Sequence, residues 1–188
     1  MDSTAWQRSD YWSTFFGQFW IELIGGTIAA LIFLFLVLYF FKPKIRICHF
    51  LCKTSVNQQT VYIFKFVNKS FFSAHDIKVE LYKIRKIPMG KGEYNNQHEI
   101  LNIINGNISH IPRRPFFWQK QLHHPHCIVV RSFDDLNTIL AEDANGIILR
   151  VSLKHGLTGL SNVFEQEYGN ESDIKNGKYK PGTKFGSI

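Results

Sequence analysis

The chain has no Gly-x-Ser-x-Gly, no His-Glu-x-x-His, no phosphate-binding loop and no glycine-rich dinucleotide fingerprint. The enzyme classes that announce themselves through those motifs find no support here. Internal repeats and low-complexity segments are absent as well, so nothing points to a solenoid or a repetitive array. Cysteine is scarce, with Cys48, Cys52 and Cys127 the only three. An odd number at irregular spacing is not a disulfide framework, and it agrees with a reducing compartment. Cys48 and Cys52 suit either S-acylation near a membrane or burial in a strand. Acidic side chains are few over much of the chain. Residues 42–131 hold 15 basic and 4 acidic side chains, a net +11, whereas residues 132–188 hold 6 and 8.

The most consequential absence is charge in residues 23–41, LIGGTIAALIFLFLVLYFF. Nineteen residues pass with one weakly polar side chain, Thr27. At ~1.5 Å rise per residue such a run crosses the ~30 Å hydrocarbon core of a bilayer. A soluble helix of this length carries a polar stripe, and this one has none. A cleavable signal peptide is a poor fit, because the run is too long, its preceding flank is not basic and no small-residue cleavage site follows. The flanks set an orientation. Lys42, Lys44, Arg46 and Lys53 follow the span, and Arg8 alone precedes it, against Asp2 and Asp10. Positive charge stays on the cytoplasmic side, so the N-terminus is expected outside and the remainder in the cytoplasm of a cell-membrane protein.

What is present divides into four parts. Residues 1–18 form an aromatic-rich extracytoplasmic segment. Residues 19–41 are the transmembrane helix, residues 42–168 a cytoplasmic β domain, and residues 169–188 a polar tail ending as a frayed loop. In the first part Tyr11, Trp12, Phe15, Phe16 and Phe19 follow helical spacing, and such rings gather at the headgroup level. At the outer edge of the span stands Glu22, followed by Gly25, Gly26, Ala29 and Ala30. The two small-xxx-small pairs let helix backbones approach in lipid, which makes a homo-oligomer the expected state. Glu22 either snorkels to the headgroups, pairs across a helix interface or lines a pore mouth.

After Pro43 the period changes to two. Residues 60–67, TVYIFKFV, read as a strand apolar on both faces. Residues 76–84 alternate strictly, with Ile77, Val79 and Leu81 facing in. The stretch 88–92 breaks this strand. Residues 99–104 and 107–111 are weaker strands around Asn105-Gly106, a hairpin signal. Cys127 to Arg131 resumes a strand. Ser132 and Asp135 have the form of a capping box for a short helix running to about Asp143. Residues 147–153 form a central strand, turned at 156–159, with 163–168 as its partner. Seven or eight short strands and one small helix predict a mainly β fold, an immunoglobulin-like β-sandwich, with a partly closed barrel as the alternative.

Residues 61–70, VYIFKFVNKS, followed by 76–81, DIKVEL, resemble a strand–turn–strand unit in the cytoplasmic β-sandwich of inward-rectifier potassium channels. Residues 148–153 leading into Gly156-Leu157-Thr158-Gly159 are similar to a later strand pair of that domain. The resemblance covers about a quarter of the chain. It implies a possible fold and a membrane-proximal sensing role. It implies no ion conduction, because the chain has one span and no Thr-x-Gly-Tyr-Gly filter, whose carbonyl rings potassium selectivity requires. The plan also resembles that of small bacterial membrane proteins, some of which act as signal-gated effectors in phage defence.

Two clusters are candidates for chemistry. Arg113, Arg114, Trp118 and Lys120 mix cations with an aromatic ring, a composition that suits an anionic small molecule or nucleotide. It equally suits a loop in lipid headgroups or a packed strand. His123, His124, His126 and Cys127 carry zinc-ligand atoms, against the simpler expectation of a solvated loop and a buried strand cysteine. His155, Asp134, Asp135, Glu165 and Glu167 form an acid–base pair only on paper. The expected molecule is a non-enzymatic, single-pass sensor, adaptor or effector without a cofactor. Its expected partners are the lipid bilayer, its anionic inner leaflet and further copies of itself, and DNA is not among them. The alternatives are a nucleotide-gated membrane-disrupting effector and a membrane-anchored metal-dependent hydrolase.

Overall fold

The computed structural model describes residues 4–40, 44–114, 124–142, 145–156 and 159–188, with backbone alone for 4–13 and 40. The chain divides into two compact units, residues 1–42 and 43–188.

The first unit is one helix, α1 (Thr4–Phe40). Within its section Thr14–Tyr39 an 18-residue window has a mean hydropathy of 2.5, and none of that window is buried within the protein. It is long and apolar enough to cross a membrane. The Thr27 hydroxyl donates to the carbonyl of Leu23 at 2.8 Å, which satisfies its polar group inside the helix. The aromatic N-terminal segment continues the same helix from Thr4.

The second unit is mainly β. Its first sheet holds β1 (Ile45–Ile47), β2 (Leu51–Val56), β3 (Gln59–Asn68), β7 (Cys127–Ser132) and β10 (Ile174–Asn176). The second holds β4 (Ala74–Gly90), β5 (Glu93–Leu101), β6 (Asn107–Ile111), β8 (Asn145–His155) and β9 (Ser161–Tyr168). β3 organises the first sheet. Its Tyr62–Val67 stretch pairs with β7 on one edge, so β1 and β2 share the other edge as halves of one broken strand. β4 does the same in the second sheet, with β8 on one edge and β6 and β5 in succession on the other.

Strand alternation places Tyr62, Phe64 and Phe66 of β3 against Val79 and Leu81 of β4 and Leu149, Val151 and Leu153 of β8, all buried in one core. Burying each such side chain contributes about 1.5–3 kcal/mol. The two sheets pack as a sandwich and are bridged where the Ile104 amide donates to the Arg131 carbonyl at 2.8 Å. The Asn102 amide donates to the Asp134 carboxylate at 2.7 Å beside it.

Several local expectations are corrected. Asn105-Gly106 does not join a hairpin, since β5 and β6 both pair with β4. Gly106 instead allows close approach, because a Cβ there would lie 2.7 Å from the carbonyl oxygen of Val79. β4 is not broken at Pro88. Beyond Arg85 its outer edge is unpaired by β8, so the missing proline N–H costs no ladder bond there. The turn is Lys91-Gly92, with φ of 52° and 81°, as a tight hairpin requires. The short helix α2 (Leu136–Ala141) starts later than the capping pattern suggests. Ser132 is held in β7 opposite Tyr62, and Asp135 itself occupies the cap position.

The tail is not a frayed loop. β10 runs parallel to β2, and residues 178–188 fold back so that Lys178 and Ile188 exchange backbone hydrogen bonds at 3.2 and 2.8 Å. Tyr179 and Phe185 of this hairpin pack on a second apolar cluster, Cys48, Phe50, Cys52, Val61 and Ile63, on the outer face of the first sheet.

Candidate functional site

Asn68 ends β3 fully buried and ties three segments together. Its side-chain amide donates to the carbonyls of Phe72 at 3.0 Å and Pro112 at 3.1 Å. Its side-chain oxygen accepts the Ser70 amide at 2.9 Å. The Asn68 amide donates to the His126 carbonyl at 2.9 Å, and the Lys69 amide to the Lys44 carbonyl at 2.7 Å. The Arg114 amide reaches the Ser70 carbonyl at 3.2 Å. These bonds gather Arg46, Lys69, Arg114, His124 and His126 at the end of the sandwich where β1 begins.

The gathered charges act on one another. Lys69 is held below the ordinary lysine value, first by burial and then by the positive charge of Arg114 and Arg46. His126 is 1% exposed, and neither ring nitrogen has a hydrogen-bond partner among the described residues. Burial pulls its pKa down, and His124, Arg114 and Lys69 pull it further. The arrangement concentrates positive charge, and guanidinium and ammonium groups are of the kind that pair with carboxylate or phosphate.

Of the residues singled out in sequence, Arg114 joins this cluster and Arg113 stands exposed beside it. Trp118, Lys120 and His123 lie outside the described residues. His124 and His126 approach with ring centroids 5.9 Å apart. Cys127 opens β7, and burial raises its thiol pKa. No group of three metal-ligating side chains converges among the described residues. Glu22, Gly25, Gly26, Ala29 and Ala30 all lie in α1, and a Cβ at Gly25 or Gly26 would meet nothing within 4 Å.

The paper acid–base set is dispersed. Asp135 accepts from the Tyr62 hydroxyl at 3.0 Å and the Thr138 hydroxyl at 2.7 Å. Glu165 pairs with Arg150 at 2.6 Å, and His155 is buried against the Phe72 ring. An open cleft of 510 Å³ lined by Lys53, Gln59, Thr60, Tyr62, Phe133 and Asp135 lies at the other end of β3 from the basic cluster.

Two features had escaped sequence reasoning. Lys65, in the middle of β3, is 2% exposed. Its ammonium donates to the tail carbonyls of Lys180 and Lys184 at 2.7 and 3.1 Å. Burial holds its pKa down, while Cys127, Cys48 and Cys52 oppose that shift. The Cys48 amide also donates to the Lys65 carbonyl at 2.9 Å. Cys48 and Cys52 are buried, with Cys52 pushed up to about 11, first by that burial. Cys52 is a buried strand cysteine of β2, Cys48 is buried between β1 and β2, and S-acylation of either is not compatible with that burial. The available signal was β3 itself, whose two apolar faces demanded a cover on each side.

No protein-family model matches the chain, and no curated protein matches it in sequence.

Proposed function

We propose that this chain is a single-pass membrane protein whose β-sandwich is cytoplasmic and acts without catalysis, as a sensor, adaptor or effector that self-associates through α1. The observation that carries this reading is the pairing of two features. The apolar section Thr14–Tyr39 is long enough to span, and only four residues separate the end of α1 from β1. A connector that short holds the β1 end of the sandwich, with its cluster of Arg46, Lys69 and Arg114, within reach of lipid phosphate. The positive flank after the span supports the cytoplasmic assignment. The small-residue face supports self-association, since glycine costs about 1 kcal/mol relative to alanine within a helix. Among the described residues nothing lies within 4 Å of a Cβ placed at Gly25 or Gly26.

Alkaline extraction of membranes followed by crosslinking tests the reading. The chain is expected to stay with the bilayer and to yield discrete crosslinked oligomers. Release into the supernatant, or a monomer at every crosslinker concentration, contradicts it.

A further inference from the structure

The two sheets of the sandwich manage charge in opposite ways. On the second sheet acidic side chains stand among the basic ones, and three of its cations are paired: Lys78–Glu80 at 2.6 Å, Arg150–Glu165 at 2.6 Å and Lys154–Asp76 at 3.0 Å. The first sheet and the hairpin across it contain no Asp or Glu at all in β1, β2, β3, β7, β10 or residues 177–188. Their outer face presents Arg46, Arg131, Lys175, Lys178, Lys180 and Lys184, every one exposed.

Two of these cations lie over aromatic rings. Arg46 lies over the Phe185 ring at 5.1 Å and Lys175 over the Phe50 ring at 4.2 Å. The buried Lys65 is satisfied by tail carbonyls. Ring faces and carbonyl dipoles position a cation without cancelling its charge. A tail with three lysines is thus fixed on a face that is already positive. The face is continuous with the cluster at the β1 end, since a Cβ on Gly182 of the tail would lie 2.9 Å from the His124 ring. Such a charge pattern is stable only beside a dense anionic surface or in solvent, and each basic residue held at an anionic leaflet contributes ~1 kcal/mol.

From this asymmetry we infer that the outer face of the first sheet, with the C-terminal hairpin as its most basic part, is a docking surface for anionic lipid. The inference rests on the membrane reading and adds the surface that makes the contact. It assigns the tail a function: the hairpin carries lysines to the lipid, and Lys65, Tyr179 and Phe185 hold it in place. On this proposal the second sheet, whose strands carry Asp76, Glu80, Glu93, Glu99, Glu165 and Glu167, faces away from the lipid.

The test is amine footprinting of the full chain reconstituted in nanodiscs, either of phosphatidylcholine alone or with roughly 30% phosphatidylserine, a composition that sets the surface potential. Acetylation of Lys178, Lys180 and Lys184 is expected to slow about tenfold with phosphatidylserine and to recover in about 0.5 M salt, where screening is strong. Lys86 and Lys91, on the β4–β5 hairpin, are expected to react equally in both discs. Replacing the three tail lysines by glutamine should also abolish the phosphatidylserine-dependent protection of Lys175. Equal labelling of the tail in both discs, with the chain inserted, overturns the inference and leaves the membrane reading standing. Failure of the chain to enter either disc overturns the membrane reading itself. Protection of the same lysines by added RNA, with none from phosphatidylserine, assigns the face to nucleic acid and overturns the lipid proposal.

Discussion

The ammonium of Lys65 donates to the carbonyl of Lys180 at 2.7 Å, joining positions 115 residues apart. Together with its bond to Lys184 it fastens the C-terminal hairpin to β3. Hydrogen bonds from a charged donor contribute about 1.5–3 kcal/mol each, offset here by the cost of burying the charge. Lys65→Met is therefore expected to loosen the hairpin more than the sandwich. Amide exchange at Lys178, Lys180 and Ile188 should rise by about tenfold or more, following the lost hydrogen-bond energy. The β8 amides should not change. Unaltered tail exchange would show that Tyr179 and Phe185 hold the hairpin alone.

His126 gives the domain a pH dependence with a defined sign. Its folded pKa lies below the ordinary 6.5 because burial and neighbouring cations disfavour the imidazolium. The unfolded chain then binds more protons in the window between the lowered value and 6.5, so stability falls as pH drops through that window. Thermal melts should show a declining midpoint below pH 6.5, and His126→Phe should flatten the decline. A midpoint that rises on acidification would contradict the assignment.

Tyr62 links the first sheet to α2. Its hydroxyl donates to Asp135 and accepts the Asn137 amide at 3.2 Å. Tyr62→Phe keeps the ring in the core and removes both bonds, at a cost of about 1–2 kcal/mol. Asp135 is held below its usual range, first by Thr138 and then by Tyr62. The variant should therefore raise the Asp135 pKa in an NMR titration. Denaturant melts identical to the wild type would place the helix attachment elsewhere.

The small-residue face of α1 gives a prediction that does not depend on the β domain. Leucine at both Gly26 and Ala30 adds bulk where backbones are expected to meet. Crosslinked oligomers should disappear while membrane association remains. Oligomers that survive the double substitution would move self-association to another surface.

The elements legible in the sequence were those with one dominant period. The uncharged run of α1, the β3 stretch and the alternation of Ile77, Val79 and Leu81 each specify their own burial, and those three side chains are buried. The hairpin over the first sheet was not legible. Tyr179 and Phe185 stand among lysines and glycines, and no local period joins them to Phe50 or Cys52. Lys65 is the one charge in a strand read as apolar on both faces, and only the tail, far off in sequence, reveals how it is buried. Arg114 was legible as a cation near aromatics. Its grouping with Lys69 and Arg46 depends on Asn68, a residue that reads as an ordinary turn.

The central claim is that α1 crosses a membrane with the sandwich on the cytoplasmic side. Protease accessibility of a C-terminal epitope in sealed vesicles of both orientations tests it most directly. Right-side-out vesicles should protect the epitope until detergent is added, and inside-out vesicles should lose it at once. Cleavage in intact right-side-out vesicles, or recovery of the chain in the soluble fraction, would contradict the account.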